Sequence, residues 1–262
     1  MTANPRNLIL NLLLGAGGAP LSARSAVASC ALFGIRENSA RVALVRLAAS
    51  GLVEAAGRGA YRLGPSAATL AADVATWRGA EARLRDWNGG WIAVHAGPLG
   101  RSDRAALRIR GRAFGLLGLR ELDRGLHLRP DNLAGGVAAA RERLFKLGLE
   151  PAAAVFVARE LDEPREQRAR SLWDGAALDR GYRETRRRLD DWLARANGLE
   201  PEVAARESFL LGNDAIRQLV FDPLLPPPLV DAEARHLFID AVVRFDAAGQ
   251  SIWKRFQAET TP

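Results

Sequence analysis

The sequence predicts an α+β multidomain fold, and three observations carry that prediction. Residues 21–63 pattern as a helix, a tight turn, a second helix and two short strands. Residues 91–158 pattern as strand, helix, strand, strand, helix, strand. From Leu172 onward the apolar spacing is helical, broken by the proline run Pro226, Pro227 and Pro228. The expected parts are an N-terminal winged helix-turn-helix over residues 1–66 and a helical linker over 67–86. A ferredoxin-like βαββαβ domain over 87–163 and an all-helical C-terminal domain over 164–262, a candidate for dimerisation, follow.

Asn4-Pro5 reads as a cap followed by proline at the first helical position. The apolar run behind Arg6 loosely imitates a signal peptide, but Asn7 and Asn11 interrupt it. A helix packed under the second helix of the helix-turn-helix is expected there. Ser22 can cap the next helix through its hydroxyl, which runs through Ala26, Val27, Cys30 and Ala31 and stops at Gly34. Ile35 anchors the turn. Glu37 sits in the first turn of the second helix, where its charge suits the dipole. No Ser or Asn caps that helix at Arg36.

At 100° per residue, Ala40, Ala43, Leu44 and Leu47 share the inner face of the second helix. The outer face carries Asn38, Arg41, Val42, Val45 and Arg46. Two outward valines among polar groups are out of place on a solvated face. They suit a face that meets base edges, where Arg or Asn hydrogen-bonds and Val touches thymine methyls. Gly51 ends the helix, and residues 52–56 and 60–63 read as a wing around Gly57-Arg58-Gly59. The candidate DNA contacts are Asn38, Ser39, Arg41, Val42, Val45 and Arg46 on the helix, with Arg58 and Arg62 on the wing. The simpler alternative is a helical hairpin and a β-hairpin that serve only as a core.

The formal net charge of +7 supports a nucleic-acid partner without proving it. Lys146 and Lys254 are the only lysines; the other basic residues are arginine, which grips phosphate oxygens in pairs. Arginine excess also follows from a GC-rich coding bias. Cys30 is the single cysteine, so no intramolecular disulfide forms and a cytoplasmic address is expected. No stretch after the first helix is long and apolar enough to span a membrane.

The linker, Ala67 to Arg85, is Ala-rich with Trp77 as its one large residue. In the middle part, residues 91–96 read as a buried strand and Ser102 as a cap for a helix to about Leu117. Residues 119–122 and 125–129 read as strands. Asp131 or Asn132 is placed to cap a helix to Leu147, and residues 153–158 form the last strand. Helices are expected over 178–196, 201–221 and 231–256, joined between the last two by a rigid, extended proline connector.

Enzyme chemistry finds little purchase. The first middle strand ends in His95, Ala96, Gly97 and Pro98, without the acidic residue a metal-dependent nuclease of this architecture needs. Asp103 is better explained by a helix dipole. His95 and His127 can meet in one sheet, but no Cys or close acid completes a metal site. Arg101, Arg104, Arg108 and Arg112 line one helix face. Such a stripe is either a solvated surface or a track for phosphates. No cofactor is expected.

Four stretches together resemble the PaaX family of bacterial transcriptional regulators. They are GIRENSARVALVRLAASGLVE, DWNGGWIAV, GLHLRPDNL (residues 125–133) and FDPLLPPPLV (residues 221–230). The resemblance implies a winged-helix, a ferredoxin-like and a helical domain in a homodimeric repressor of catabolic genes; two-fold symmetry then predicts a palindromic operator in double-stranded DNA. It also implies release by phenylacetyl-coenzyme A, although HAGPLGRSD departs from the acidic version of that segment. The candidate effector-binding residues are Trp87, Trp91, His95, Arg101, Arg104 and Arg108. A metal-dependent nucleic-acid enzyme built on the middle domain is the alternative.

Overall fold

In the computed structural model, which describes residues 4–68, 71 and 75–259, helix α1 covers Pro5–Gly15. Asn4 accepts the Arg6 N–H at 2.9 Å and Pro5 takes the first helical position, as the sequence predicts. The chain is a mixture of helix and sheet in two compact units. One comprises Met1–Arg78, Arg186–Arg217 and Asp240–Pro262; the other comprises Gly79–Thr185 and Gln218–Ile239.

In the first unit, β1 (Leu21–Ser22) leads into α2 (Ala23–Ala31), whose N-terminus is capped by Ser22 Oγ on the Ser25 N–H at 2.9 Å. Gly34 turns the chain at φ 69°, a conformation that glycine adopts without steric cost. Helix α3 spans Glu37–Ala49, and its N-cap Arg36 gives no side-chain bond. Strands β2 (Val53–Ala55) and β3 (Ala60–Leu63) form an antiparallel sheet in the order β1-β3-β2. The core holds Leu8, Ile9, Leu13, Ala26, Cys30, Ala40, Leu44, Leu47 and Val53. Burial pushes the Cys30 thiol up to about 11.

The expected linker helix falls partly on residues 69, 70 and 72–74, outside the described residues. Its described flanks include 3-10 turns at Pro65–Ala67, Thr76–Gly79 and Glu81–Arg83. Trp77 is buried, with the Arg78 guanidinium 4.6 Å from its ring centroid and Arg78 paired to Asp246.

In the second unit, β4 (Trp91–His95), α4 (Arg104–Leu116), β5 (Arg120–Asp123), β6 (Leu126–Pro130), α5 (Gly136–Lys146) and β7 (Ala154–Ala158) follow in order. The antiparallel sheet has the order β5-β6-β4-β7. Alternation along β4 divides the core. Ile92 and Val94 pack with Ala113, Phe114 and Leu117 of the α4 segment and with Ala140 and Leu144 of α5. Trp91 and Ala93 pack on the other face with Leu128, Ala169, Trp173, Leu225 and Val230. Helix α6 covers Glu163–Arg170. The long helices α7 (Gly175–Arg195), α8 (Pro201–Val220) and α9 (Ala232–Glu259) each contribute residues to both units.

Three local expectations need correction. Asp103, not Ser102, caps α4, taking the Ala105 and Ala106 N–H groups at 2.7 and 3.2 Å. Neither Asp131 nor Asn132 caps α5, which starts at Gly136 after Gly135 at φ 78°. Both side chains are buried and committed elsewhere: Asp131 pairs with Arg85 at 2.5 Å, and Asn132 accepts from Arg129 Nη2 at 2.8 Å. The proline segment is non-helical as predicted, but it is no spacer, because Asp222 to Pro226 are buried. It lies against Gly118, where an added Cβ would stand 2.7 Å from Pro223 Cα.

Arg129 organises this region. It donates through Nε to the Pro130 carbonyl at 3.0 Å and through Nη1 to the Leu117 carbonyl. Asn132 passes the connection on, donating to the Leu224 carbonyl at 2.7 Å, while the Leu224 N–H donates to Asp222 at 2.7 Å. Burial first, and then the nearby charge of Arg83, push the guanidinium down to about 10, against Asp131 and Asp222. It therefore stays charged at neutral pH. Replacing it strands buried acceptors and carboxylates, so Arg129→Met should cost about 3 kcal/mol in denaturant unfolding; an unmoved midpoint would contradict this. The Cys30 thiol should resist a disulfide reagent at pH 8 until denaturant is added, and fast labelling of the folded chain would show the core to be open there.

Candidate nucleic-acid interface

The outer face of α3 follows from its inner one. With Ala40, Ala43, Leu44 and Leu47 buried, the 3.6-residue period turns Asn38, Arg41, Val42, Val45 and Arg46 outward. All five are exposed, with Val42 at 41% and Val45 at 66%. Ser39 is half-buried at the helix start. The turn between β2 and β3 carries Arg58 between Gly57 and Gly59, at φ 97° and 71°. Arg58 is exposed.

The arginines divide into two kinds. Arg41 Nη2 is held by Glu37 one turn earlier at 2.7 Å, and Arg62 by Glu54 on the neighbouring strand, also at 2.7 Å. Arg46 and Arg58 have no carboxylate partner among the described residues. Sequence reasoning put Arg41 and Arg46 on base edges and Arg58 and Arg62 on phosphate or a minor groove, without separating paired from unpaired side chains. The i,i+4 spacing of Glu37 and Arg41 was a readable sign of the first pair. The cross-strand pairing of Glu54 with Arg62 needed the β2–β3 register, in which those two residues are partners. Arg24 and Arg36 were missed. Both are exposed at the beginnings of α2 and α3, where helix N-termini favour anions.

Of the residues expected to hold an effector, Trp87 and Trp91 pack together, while Arg104 and Arg108 lie apart from them. Trp91 is fully buried, its indole N–H bonded to Glu166 at 2.9 Å and its ring stacked on Trp173 at 6.2 Å. Trp87 meets Trp91 edge-on at 5.2 Å, under the Arg170 guanidinium. This aromatic group fills one face of the sheet. Arg104 and Arg108 project from α4, which packs on the opposite face; Arg101 precedes that helix. Arg110 of α4 is buried against Glu150 at 2.5 Å, and that bond holds the Glu150 carboxyl below its usual range.

His95 and His127 sit on neighbouring strands but on opposite faces. His127 is opposite Val94 in the register, and His95 is one residue along. The His127 ring lies 4.4 Å from Phe114, and burial lowers its pKa. Among the described residues no three His, Cys, Asp or Glu side chains gather as metal donors. No helix of the described residues is long and apolar enough to cross a membrane.

Residues 4–67 match the family described as PaaX-like protein, and residues 173–255 match the PaaX-like protein C-terminal domain. Among solved structures, the uncharacterized protein Rv0674 from Mycobacterium tuberculosis is similar, with a TM-score of 0.57 and 25% identity over 94% of this chain and 99% of that one. No curated protein matches. The chain belongs to the PaaX family, whose domains suggest a transcriptional regulator of phenylacetic acid catabolism.

Proposed function

We propose that the chain is a sequence-specific DNA-binding regulator, a homodimeric repressor of catabolic genes released by an acyl-coenzyme A effector such as phenylacetyl-coenzyme A. In this reading, residues 1–66 are a winged helix-turn-helix and residues 87–163 a ferredoxin-like domain. Residues 67–86 link them, and residues 164–262 are a helical domain. The strand order β5-β6-β4-β7 supports the second assignment. The observation that carries the function is the exposed face of α3, on which Val42 and Val45 alternate with Asn38, Arg41 and Arg46. Solvent gives no reason for two outward valines there, and a base edge does.

Each protomer lays residues 38–46 in a major groove while Arg58 touches the backbone. Two-fold symmetry then requires a palindromic operator with its half-sites on one face of the duplex. The protein works where the DNA is, in the cytoplasm. An effector acts only by preferring the dimer geometry that does not fit the operator.

The test is binding to the DNA upstream of the protein's own gene, read by fluorescence anisotropy over a salt series with and without phenylacetyl-coenzyme A. Selective binding that the thioester releases supports the whole proposal. Selective binding without release removes that effector. Weak, sequence-blind binding overturns DNA reading. Arg41→Ala should relax sequence preference at a cost of about 1–3 kcal/mol per lost base contact. Arg58→Ala should weaken all sequences alike and flatten the salt slope by about one; an unchanged slope would rule out its phosphate contact.

A further inference from the structure

A groove of about 360 Å³ lies within the first unit, between α2 and the long helices. Ala28, Ala31 and Leu32 line it from the α2 segment, Glu202, Val203 and Arg206 from α8, and Phe256 from α9. Its size suits a small organic molecule. Leu32, Val203 and Phe256 make an apolar wall. Glu202 and Arg206 supply opposite charges one helical turn apart.

That pair is open. Glu37–Arg41, Glu142–Lys146 and Glu166–Arg170 have the same spacing and close into ion pairs at 2.7, 2.6 and 2.8 Å. Glu202 and Arg206 have no partner among the described residues, each other included. A ligand with an anionic and a cationic end, joined to an apolar body, satisfies both. A simple carboxylate would meet Arg206 but be repelled by Glu202, and a simple amine would meet the reverse.

We propose that this groove binds an apolar, aromatic α-amino acid, its carboxylate on Arg206, its ammonium on Glu202 and its side chain against Phe256 and Val203.

The groove also has a physical route to the turn of the helix pair. Phe256 meets Trp253 at 5.6 Å between ring centroids, Trp253 meets Phe209 at 6.0 Å, and Phe209 meets Phe33 at 5.3 Å. Phe33 belongs to the turn that sets α3 against α2. Occupancy of the groove therefore bears on the presentation of α3; this last step alone rests on the DNA-reading proposal.

The experiment is calorimetric titration of the full chain, without DNA, using L-phenylalanine, 3-phenylpropionate and phenethylamine. Phenylalanine should bind, and each analogue should be weaker by about tenfold or more, the loss of one charge-assisted hydrogen bond. Arg206→Ala and Glu202→Gln lie on the surface and should each weaken phenylalanine similarly, with the melting temperature unmoved. Absence of binding by the parent chain, equal binding of the analogues, or unaltered binding by both variants overturns the proposal. Operator binding is measured separately, so a chain that takes phenylalanine but ignores DNA keeps the groove and loses only the DNA reading.

Discussion

A fully buried guanidinium holds the second unit together. Arginine carries more N–H groups than any other side-chain type, and out of water each one on Arg129 needs an acceptor. The chain provides them from a helix end, Leu117, from its own neighbour Pro130, and from Asn132. Asn132 in turn holds Leu224, a non-glycine residue at φ 51°. The segment from Asp222 to Pro226 has no ladder or helix to satisfy its backbone. Its polar groups are met one by one, by Asn132, by Asp222 itself and by Arg235 on the Leu225 carbonyl. Two stretches far apart in sequence thus become one structural element.

Those two stretches are among the four that carry the family resemblance in the sequence. GLHLRPDNL contributes Arg129, Asp131 and Asn132; FDPLLPPPLV contributes Asp222, Leu224 and Leu225. Read singly, the pieces misled. Asp131 and Asn132 stand where helix caps stand, and a run of prolines suggests a stiff spacer. Local chemistry lost to a long-range demand, because a buried charge draws the nearest acceptors whatever their helical propensity. The strands and helices around them were legible because their period reports burial directly.

The face of α3 was legible for the same reason. Four buried positions at helical spacing determine which residues must look outward, and no tertiary contact intervenes. What the sequence did not display was the company those residues keep. Arg62 meets Glu54 only once the β2–β3 register is known. The effector set is divided between two faces for a related cause. Trp91 and Arg104 are near in sequence, yet a strand and a helix that pack on each other send such side chains to opposite sides of one sheet. Proximity along the chain was a poor guide to a shared site.

The carboxylates beside Arg41 and Arg62 bear on how such a surface would search a genome. A bare arginine attracts every phosphate it passes, and a protein studded with them dwells wherever it lands. An arginine already held by Glu37 or Glu54 gives up that partner at each encounter, and the nearby negative charge opposes close approach to any duplex. The loss is the same on every sequence. It is recovered only where a base edge offers acceptors well enough placed to replace the carboxylate. Paired arginines therefore lower indiscriminate affinity more than selective affinity, and a regulator outnumbered by wrong sites depends on the ratio between the two.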